Sequence, residues 1–449
     1  MHVTGEDTIA AIATGLGGGV AIIRISGPDA LAIGNRVWKG RKLLSVQVAR
    51  QLLLGAVAKQ DSEIDDCLAV YMPGPRSYTA EDVVELQCHG GTFVARAVLA
   101  AVLSEGARHA APGEFTKRAY LNGRLDLTQA EAVADVISAQ SEMALHTAHR
   151  QLQGHLRQRV AGIDGELREM LAEIEVRMDF VDEDLDWTAE DQLHQALQNA
   201  ERLVRELLLY RQEGEVLREG IRLVLAGAPN AGKSSLLNLL LGHDRAIVTD
   251  VPGTTRDTLE EYAHIRGIPV RLIDTAGLRE TEDVVERAGI DRSHDSIRGA
   301  QLLIWVIDLT APLDGQQLDP ALVAGRTVIA AANKCDLHTG ELPALDVPIV
   351  AISARNGDGI EALRDAVEAA VWAHPHDQEP DVAVSVRHAA ELDRALLALV
   401  DARAVLQDAA FELVAVNLRA ALEAMGAITG TTARADILDN IFGKFCIGK

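Results

Sequence analysis

An apolar run, Ile221–Ala226, leads directly into Gly227-Ala228-Pro229-Asn230-Ala231-Gly232-Lys233-Ser234, and Ser235–Leu241 continues with helical spacing. A short buried strand, a glycine-rich turn and a helix in that order demand a parallel sheet with helices packed on its faces. The GxxxxGK[ST] spacing also fixes a chemistry. Its glycines let backbone N–H groups close around phosphate oxygens, and the helix N-terminus favours negative charge there. Lys233 is expected to reach β- and γ-phosphates, and the Ser234 hydroxyl to bind Mg²⁺. Taken alone, the pattern leaves open a chance glycine-rich turn.

Three further segments narrow the reading. Val270–Asp274 is an apolar strand ending in Asp274-Thr275-Ala276-Gly277. A carboxylate there can hold the Mg²⁺ shell, and Gly277 can offer its N–H to a γ-phosphate. Thr327–Ala332 is another strand, leading into Asn333-Lys334-Cys335-Asp336. The two oxygens of Asp336 match the N1–H and 2-amino donors of guanine, which adenine does not present as a pair. The Lys334 stem can lie along the base, and Asn333 can brace the loop. Val350–Ser353 then enters Ser353-Ala354-Arg355, where a backbone N–H can meet guanine O6. Four such elements in this order imply a GTP-binding domain of the Ras-like class, with Ser235 completing the phosphate loop. Ras-type domains carry a water-orienting Gln after DxxG; here the residue is Leu278. Glu286 lies shortly downstream and reads either as a solvated helix-start carboxylate or as a replacement.

The rest of the 449 residues divides by texture. Residues 1–120 hold short β-rich runs such as Val20–Ser26, Cys67–Met72 and Val83–Cys88, which reads as an α+β domain. Residues 121–215 turn helical, 216–373 alternate strand and helix, and 374–449 are helical again after a linker at His374–Pro380. The economical reading is multidomain, with an α/β G domain inserted into an α-helical bundle; a linear order of domains is the alternative. With 43 basic and 66 acidic residues the formal charge is −23, which excludes a basic nucleic-acid coat over the whole chain. Four cysteines without a CxxC fit a reducing compartment. The N-terminus has no signal-peptide pattern and no apolar run reaches membrane-span length, so the expectation is a cytoplasmic protein with no membrane partner. The acidic run Asp179–Asp186 reads as a solvated or docking face. His146 and His149 share a helix face without further metal ligands, and His89 before Gly90-Gly91 reads as a turn residue.

Val251-Pro252-Gly253-Thr254-Thr255-Arg256-Asp257 resembles the switch region of the Era/Der/MnmE group of bacterial GTPases. Asp7–Thr14 followed by Ile22–Gly27, Ala80–Gly91, Pro112–Ala119 and the closing Phe445-Cys446-Ile447-Gly448-Lys449 resemble the MnmE (TrmE) family of tRNA modification GTPases over essentially the whole chain. The resemblance implies an N-terminal folate-binding domain that forms a homodimer, a helical domain, and an inserted G domain. It implies a heterotetramer-type complex with MnmG (GidA), which uses FAD and NADH. The complex would install a carboxymethylaminomethyl-type group at carbon 5 of the wobble uridine of tRNA, with the one-carbon unit from 5,10-methylene-tetrahydrofolate. A 5-formyl-tetrahydrofolate would occupy the same site.

Residue by residue, the resemblance assigns K⁺ to Asn230, Thr249, Val251 and Thr254, within a nucleotide-facing loop Thr249-Asp250-Val251-Pro252-Gly253-Thr254. It assigns Mg²⁺ to Ser234 and Thr255, and makes Glu286 the residue that orients the attacking water. It assigns folate to Arg24, Glu85, Arg124 and Lys449. Arg124 stands where a lysine is expected, and Thr14–Gly19 is a shorter, less basic loop than the family's. Cys446 reads as a catalytic thiol or as a small apolar residue. A rival reading is an Era/Der-like assembly GTPase gripping ribosomal RNA, but no GxxG-centred KH pattern is present at the C-terminus. Given its charge, the chain alone is expected to bind tRNA weakly, with MnmG supplying most of the basic surface.

Overall fold

Alternation of apolar and polar residues builds the first sheet. In strand β2 (Val20–Ser26), Ala21, Ile23 and Ile25 are fully buried, while Arg24 faces the other way. The computed structural model describes residues 7–60, 62–179, 190–244, 260–274, 300–318, 323, 325–372 and 382–449. Its described chain divides into two units. One comprises Met1–Ala134, Leu152–Ala196 and Leu397–Lys449; the other comprises Asp135–Gln151 and Leu197–Leu396.

The first unit holds β1 (Ile9–Ile12), β2, helix α1 (Ala30–Val37), β3 (Trp38–Gly40), β4 (Leu53–Lys59), β5 (Ser62–Met72), β6 (Val83–His89), α2 (Thr92–Ser104) and β7 (Arg108–His109). The strands form a seven-stranded sheet in the order β3-β4-β5-β6-β2-β1-β7, antiparallel except for the β1–β7 pair. Val84, Leu86 and Cys88 of β6 join Ile23 and Ile25 in a core with Ile33 of α1 and Val98 and Val102 of α2. Strand registration sets Arg24 directly opposite Glu85, and period-2 alternation puts both on the side away from that core.

After α3 (Glu114–Leu121), the chain becomes helical: α4 (Leu127–Ser138), α5 (Glu142–Leu152), α6 (His155–Asp179) and α7 (Glu190–Glu219). Within the first unit, α6 lies against a later helix, Phe411–Thr429. Leu156, Val160, Ile163, Leu167 and Ile174 recur on one face of α6 at helical spacing and are buried.

The second unit is built on β8 (Ile221–Ala226), α8 (Lys233–Asp244), β9 (Glu260–Ile265), β10 (Ile268–Asp274), β11 (Leu302–Asp308), β12 (Thr327–Asn333), β13 (Ile349–Ala351) and α9 (Ile360–Val371). The sheet order is β13-β12-β11-β8-β10-β9, parallel except for the β9 edge. β8 is buried on both faces, with Leu223 and Leu225 in one core and Val224 and Ala226 in the other. A doubly covered parallel sheet gathers its loops at the carboxyl ends of the strands, where ligands bind in this architecture. The chain closes with α10 (Val386–Leu406), α11 (Phe411–Thr429) and α12 (Ala435–Phe442). Phe442 and Phe445 bury their rings with Leu127 and Ala130, their centroids 5.7 Å apart, and so carry the last residues back onto the first unit's α3–α4 region.

Some boundaries differ from the sequence reading. The strand expected at Val350–Ser353 is Ile349–Ala351, and Ser353 instead makes an isolated bridge with Asp358. His89 is not a turn residue but the last residue of β6, opposite Val20. Asp65 holds it there, accepting from the His89 amide at 2.7 Å and meeting the ring Nδ1 at 2.8 Å. Among the described residues no helix is long and apolar enough to cross a membrane, and no cluster of potential metal ligands occurs.

Candidate functional site

The phosphate loop runs from the end of β8 to the start of α8. Asn230 takes a left-handed φ of 63°, which a side chain able to bond its own backbone tolerates. Gly232 has a φ of 102°, and a Cβ there would lie 2.1 Å from the Asn333 side-chain nitrogen. Only glycine fits both the dihedral and the approach. Ala231, within the loop, is fully buried. Lys233 reaches back across it, its Nζ donating to the carbonyls of Gly227 at 2.8 Å and Ala228 at 3.0 Å. Ser234 and Ser235 occupy the exposed first turn of α8.

Asn333, at the end of β12, joins two loops. Its Nδ2 donates to the Ala231 carbonyl at 2.7 Å, and its Oδ1 accepts from the Ala354 N–H at 2.9 Å. The phosphate loop and the Ser353-Ala354-Arg355 segment are thus tied to one buried amide. The amide of Ser353 donates to the Asp358 carbonyl, and that of Ala354 goes to Asn333. Lys334 adopts a left-handed φ of 65° and extends to Asp308, with Nζ 2.5 Å from Oδ2. Burial pushes the Asp308 carboxyl up, but hydrogen bonds from Lys334 and Thr310 outweigh this and hold it below the ordinary carboxylate range. Asp336 is exposed in the 3-10 turn Cys335–Leu337, and Arg355 is exposed beyond buried Ser353. Asp274 closes β10, next to β8.

Sequence reasoning missed Asp308. An acid ending an apolar strand, Leu302–Asp308, was the available signal. Thr249, Asp250, Val251, Pro252, Gly253, Thr254, Thr255, Thr275, Ala276, Gly277 and Glu286 lie outside the described residues.

In the first unit the four residues of the other expected site converge. Arg24 Nε donates to Glu85 Oε1 at 2.8 Å, with both side chains largely buried. The Arg24 guanidinium lies 5.0 Å from the Tyr78 ring centroid and 5.6 Å from that of Phe115. Arg124 lies 5.1 Å from the same Tyr78 ring and donates to the Tyr78 carbonyl. Lys449 arrives from the far end of the chain: its backbone oxygen accepts from the Phe115 N–H at 3.2 Å. Gly448, with a φ of 100°, sits where a Cβ would come within 2.1 Å of the Ile12 carbonyl. The closing glycine is therefore needed for the tail to seat. Burial and then repulsion from Arg24 hold the Lys449 ammonium below its ordinary value, with Cys446 and Glu85 acting in the opposite direction.

Cys446 is exposed, whereas burial pushes the thiols of Cys67 to about 12 and Cys88 to about 11, leaving those two un-ionised. Tyr78, with no periodic pattern around it, had no sequence signal as the centre of this cluster.

A glycine-rich phosphate loop at one parallel strand end, an Asn-Lys-x-Asp segment at another, and a buried amide joining them define a GTPase of the P-loop class. Family models for the N-terminus of the GTP-binding protein TrmE and for the MnmE helical domain match residues 8–124 and 127–446. The chain is 47% identical to the tRNA modification GTPase MnmE of Geobacter sulfurreducens, covering 99% of each. It is 45% identical to the protein of that name from Symbiobacterium thermophilum, over 99% of this chain and 100% of the relative. A solved G domain of the T. maritima FeoB iron transporter is 28% identical over 33% of this chain and 96% of its own, with a TM-score of 0.25. The chain belongs to the MnmE family of tRNA modification GTPases.

Proposed function

We propose that this chain is the potassium-stimulated GTPase of a folate-dependent complex, acting with an FAD- and NADH-using MnmG partner. The complex modifies carbon 5 of the wobble uridine of tRNA. The observation that carries the folate part is the gathering of Arg24, Glu85 and Arg124 around the Tyr78 ring, with Lys449 bonded to Phe115, whose ring also lies beside Arg24. The residue set fits a tetrahydrofolate: three cations for its oxygens or glutamate tail, one carboxylate for pterin N–H donors, and the Tyr78 and Phe115 rings beside them. A bound methylene-tetrahydrofolate supplies the one-carbon unit. Glu85 has one oxygen engaged by Arg24, so its other oxygen is the one that receives the pterin.

In the G domain, Lys233 holds the β- and γ-phosphates and Ser234 with Thr255 holds Mg²⁺. Asp274 orders the metal's shell. Thr275, Ala276 and Gly277 line the γ-phosphate. Asp336 accepts from guanine, Lys334 is kept along the base by Asp308, and Asn333 fixes the loops. Since the Ser353 and Ala354 amides are engaged within the protein, the Arg355 amide is the donor for guanine O6. Asn230, with Thr249, Val251 and Thr254, forms the K⁺ loop, which also includes Asp250, Pro252 and Gly253. Mg²⁺ and K⁺ bound there would supply positive charge against the negative charge that develops on the phosphate oxygens in phosphoryl transfer. Glu286 orients the attacking water in place of the Ras-type Gln, and Cys446 is the thiol presented beside the folate. Pairing of G domains within a homodimer orders the K⁺ loop, and hydrolysis then acts as a conformational switch.

The test is GTP turnover in potassium against sodium, with Glu286→Ala beside the wild type. Strong stimulation by potassium, lost in E286A without loss of GTP binding, is expected. Equal rates in the two salts would overturn the potassium mechanism.

A further inference from the structure

Tyr78 lies in the connection between β5 and β6 and is pinned on several sides. Its hydroxyl meets the Thr116 hydroxyl at 2.9 Å, and its carbonyl accepts from Arg124. The next residue, Thr79, accepts from Asn122 at 2.7 Å through its carbonyl and meets the Ser26 hydroxyl at 2.6 Å. The ring is therefore fixed before any ligand arrives. Two guanidiniums from separate parts of the chain lie 5.0 and 5.1 Å from its centroid. Like charges gathered on one ring repel each other, and the negative face of an aromatic ring offsets that repulsion. Arg24 uses Nε for Glu85, and its two terminal nitrogens have no partner among the described residues. A planar fork backed by aromatic rings, with its outer nitrogens unspent, suits a flat acceptor group, a carbonyl or carboxylate oxygen.

We propose that Tyr78 is the positioning residue of this site: its ring presets Arg24 and Arg124 as a paired clamp for the oxygens of a folate-type ligand. The proposal rests on the folate reading above. Without the ring, both long side chains would have to be ordered at binding, which costs affinity.

The experiment is calorimetric binding of 5-formyl-tetrahydrofolate to the full-length protein. The variants are Tyr78→Phe, Tyr78→Leu, and a series carrying mono-, di- and trifluorinated phenylalanine at position 78. Y78F keeps the ring and is expected to bind within about twofold of wild type, whereas Y78L loses about tenfold. The fluorinated series changes ring electrostatics with little change of shape, so affinity is expected to fall stepwise with fluorine number. A role confined to packing would not produce that trend, and the series remains informative if Y78L does not fold. Unchanged affinity across the series would overturn the positioning role while leaving folate binding intact. Failure of the wild-type protein itself to bind the probe would overturn the folate reading, and the proposal with it.

Discussion

Asn333 shows how one side chain can determine a site. It is almost fully buried and makes one bond to the phosphate loop and one to the segment after β13. Asn333→Ala leaves a buried carbonyl on Ala231 and a buried N–H on Ala354 without partners. The expected loss is about 2–4 kcal/mol of stability for its unit, from roughly 1–2 kcal/mol per orphaned group, together with weaker GTP binding. Denaturant unfolding of N333A beside a nucleotide titration checks both. Lys449 poses a different question, because its folded-state value lies below the ordinary 10.5. Between the folded value and 10.5 the unfolded chain binds more protons, so stability rises with pH through that window; below it the penalty is constant. An oxyanion seated beside the ammonium favours its charged form. Binding within the window is therefore expected to take up a proton, and Lys449→Met to abolish the uptake. Titration in two buffers of different ionisation enthalpy measures this directly.

At the scale of elements, the start of α3 is held by a buried ion network beside the apolar packing of Phe115 against Ile9 and Ala11. Glu114 accepts from Arg108 and Arg118 and from the Ala111 amide, and Arg118 also reaches Asp7 and Glu81. Arg118 and Glu114 are almost wholly buried. Removing one partner of such a pair leaves the other charged and undersatisfied, so Glu114→Ala is expected to cost about 3 kcal/mol in unfolding experiments at neutral pH. Burial raises the Asp7 and Glu114 carboxyls, but the arginine hydrogen bonds prevail and both lie below their ordinary values. Their contribution is present above the unfolded values of 3.8 and 4.5 and is lost as pH falls through the lower folded values. The gap between wild type and E114A is expected to close in that acid range.

These elements also show where the sequence could be read. The β2 and β6 strands stood out because one face alternates apolar, and the phosphate loop because its glycines and lysine sit between a strand and a helix. The Glu114 network did not stand out, since charges at positions 7, 81, 108, 114 and 118 acquire meaning only once the sheet brings them together. Tyr78 was hidden for the same reason, since it acts on Arg24, which no local spacing relates to it; Asp308 left a local sign as the acid ending β11, but its partner Lys334 lies beyond another strand.

For the whole molecule, residues 446–449 test how segments distant in sequence cooperate in one site. Deleting Cys446–Lys449 removes the Lys449 backbone oxygen bonded to Phe115, the Cys446 carbonyl 3.5 Å from the Gly113 amide, and one cation of the cluster around Arg24 and Glu85. Loss of 5-formyl-tetrahydrofolate binding is expected, while GTP affinity is retained because the nucleotide unit has its own core. The net charge of −23 acts on a larger scale. Affinity for a polyphosphate strand grows with the number of phosphates neutralised, and each released counterion steepens the fall of binding with salt. A chain this acidic gains little from that term. Filter or gel-shift titrations of tRNA from low to physiological salt are therefore expected to give weak binding and a shallow salt slope for the chain alone. Adding the proposed MnmG partner is expected to give a much steeper slope. A tight, salt-sensitive complex with the isolated chain would instead locate the phosphate-binding surface on this chain, despite its net charge.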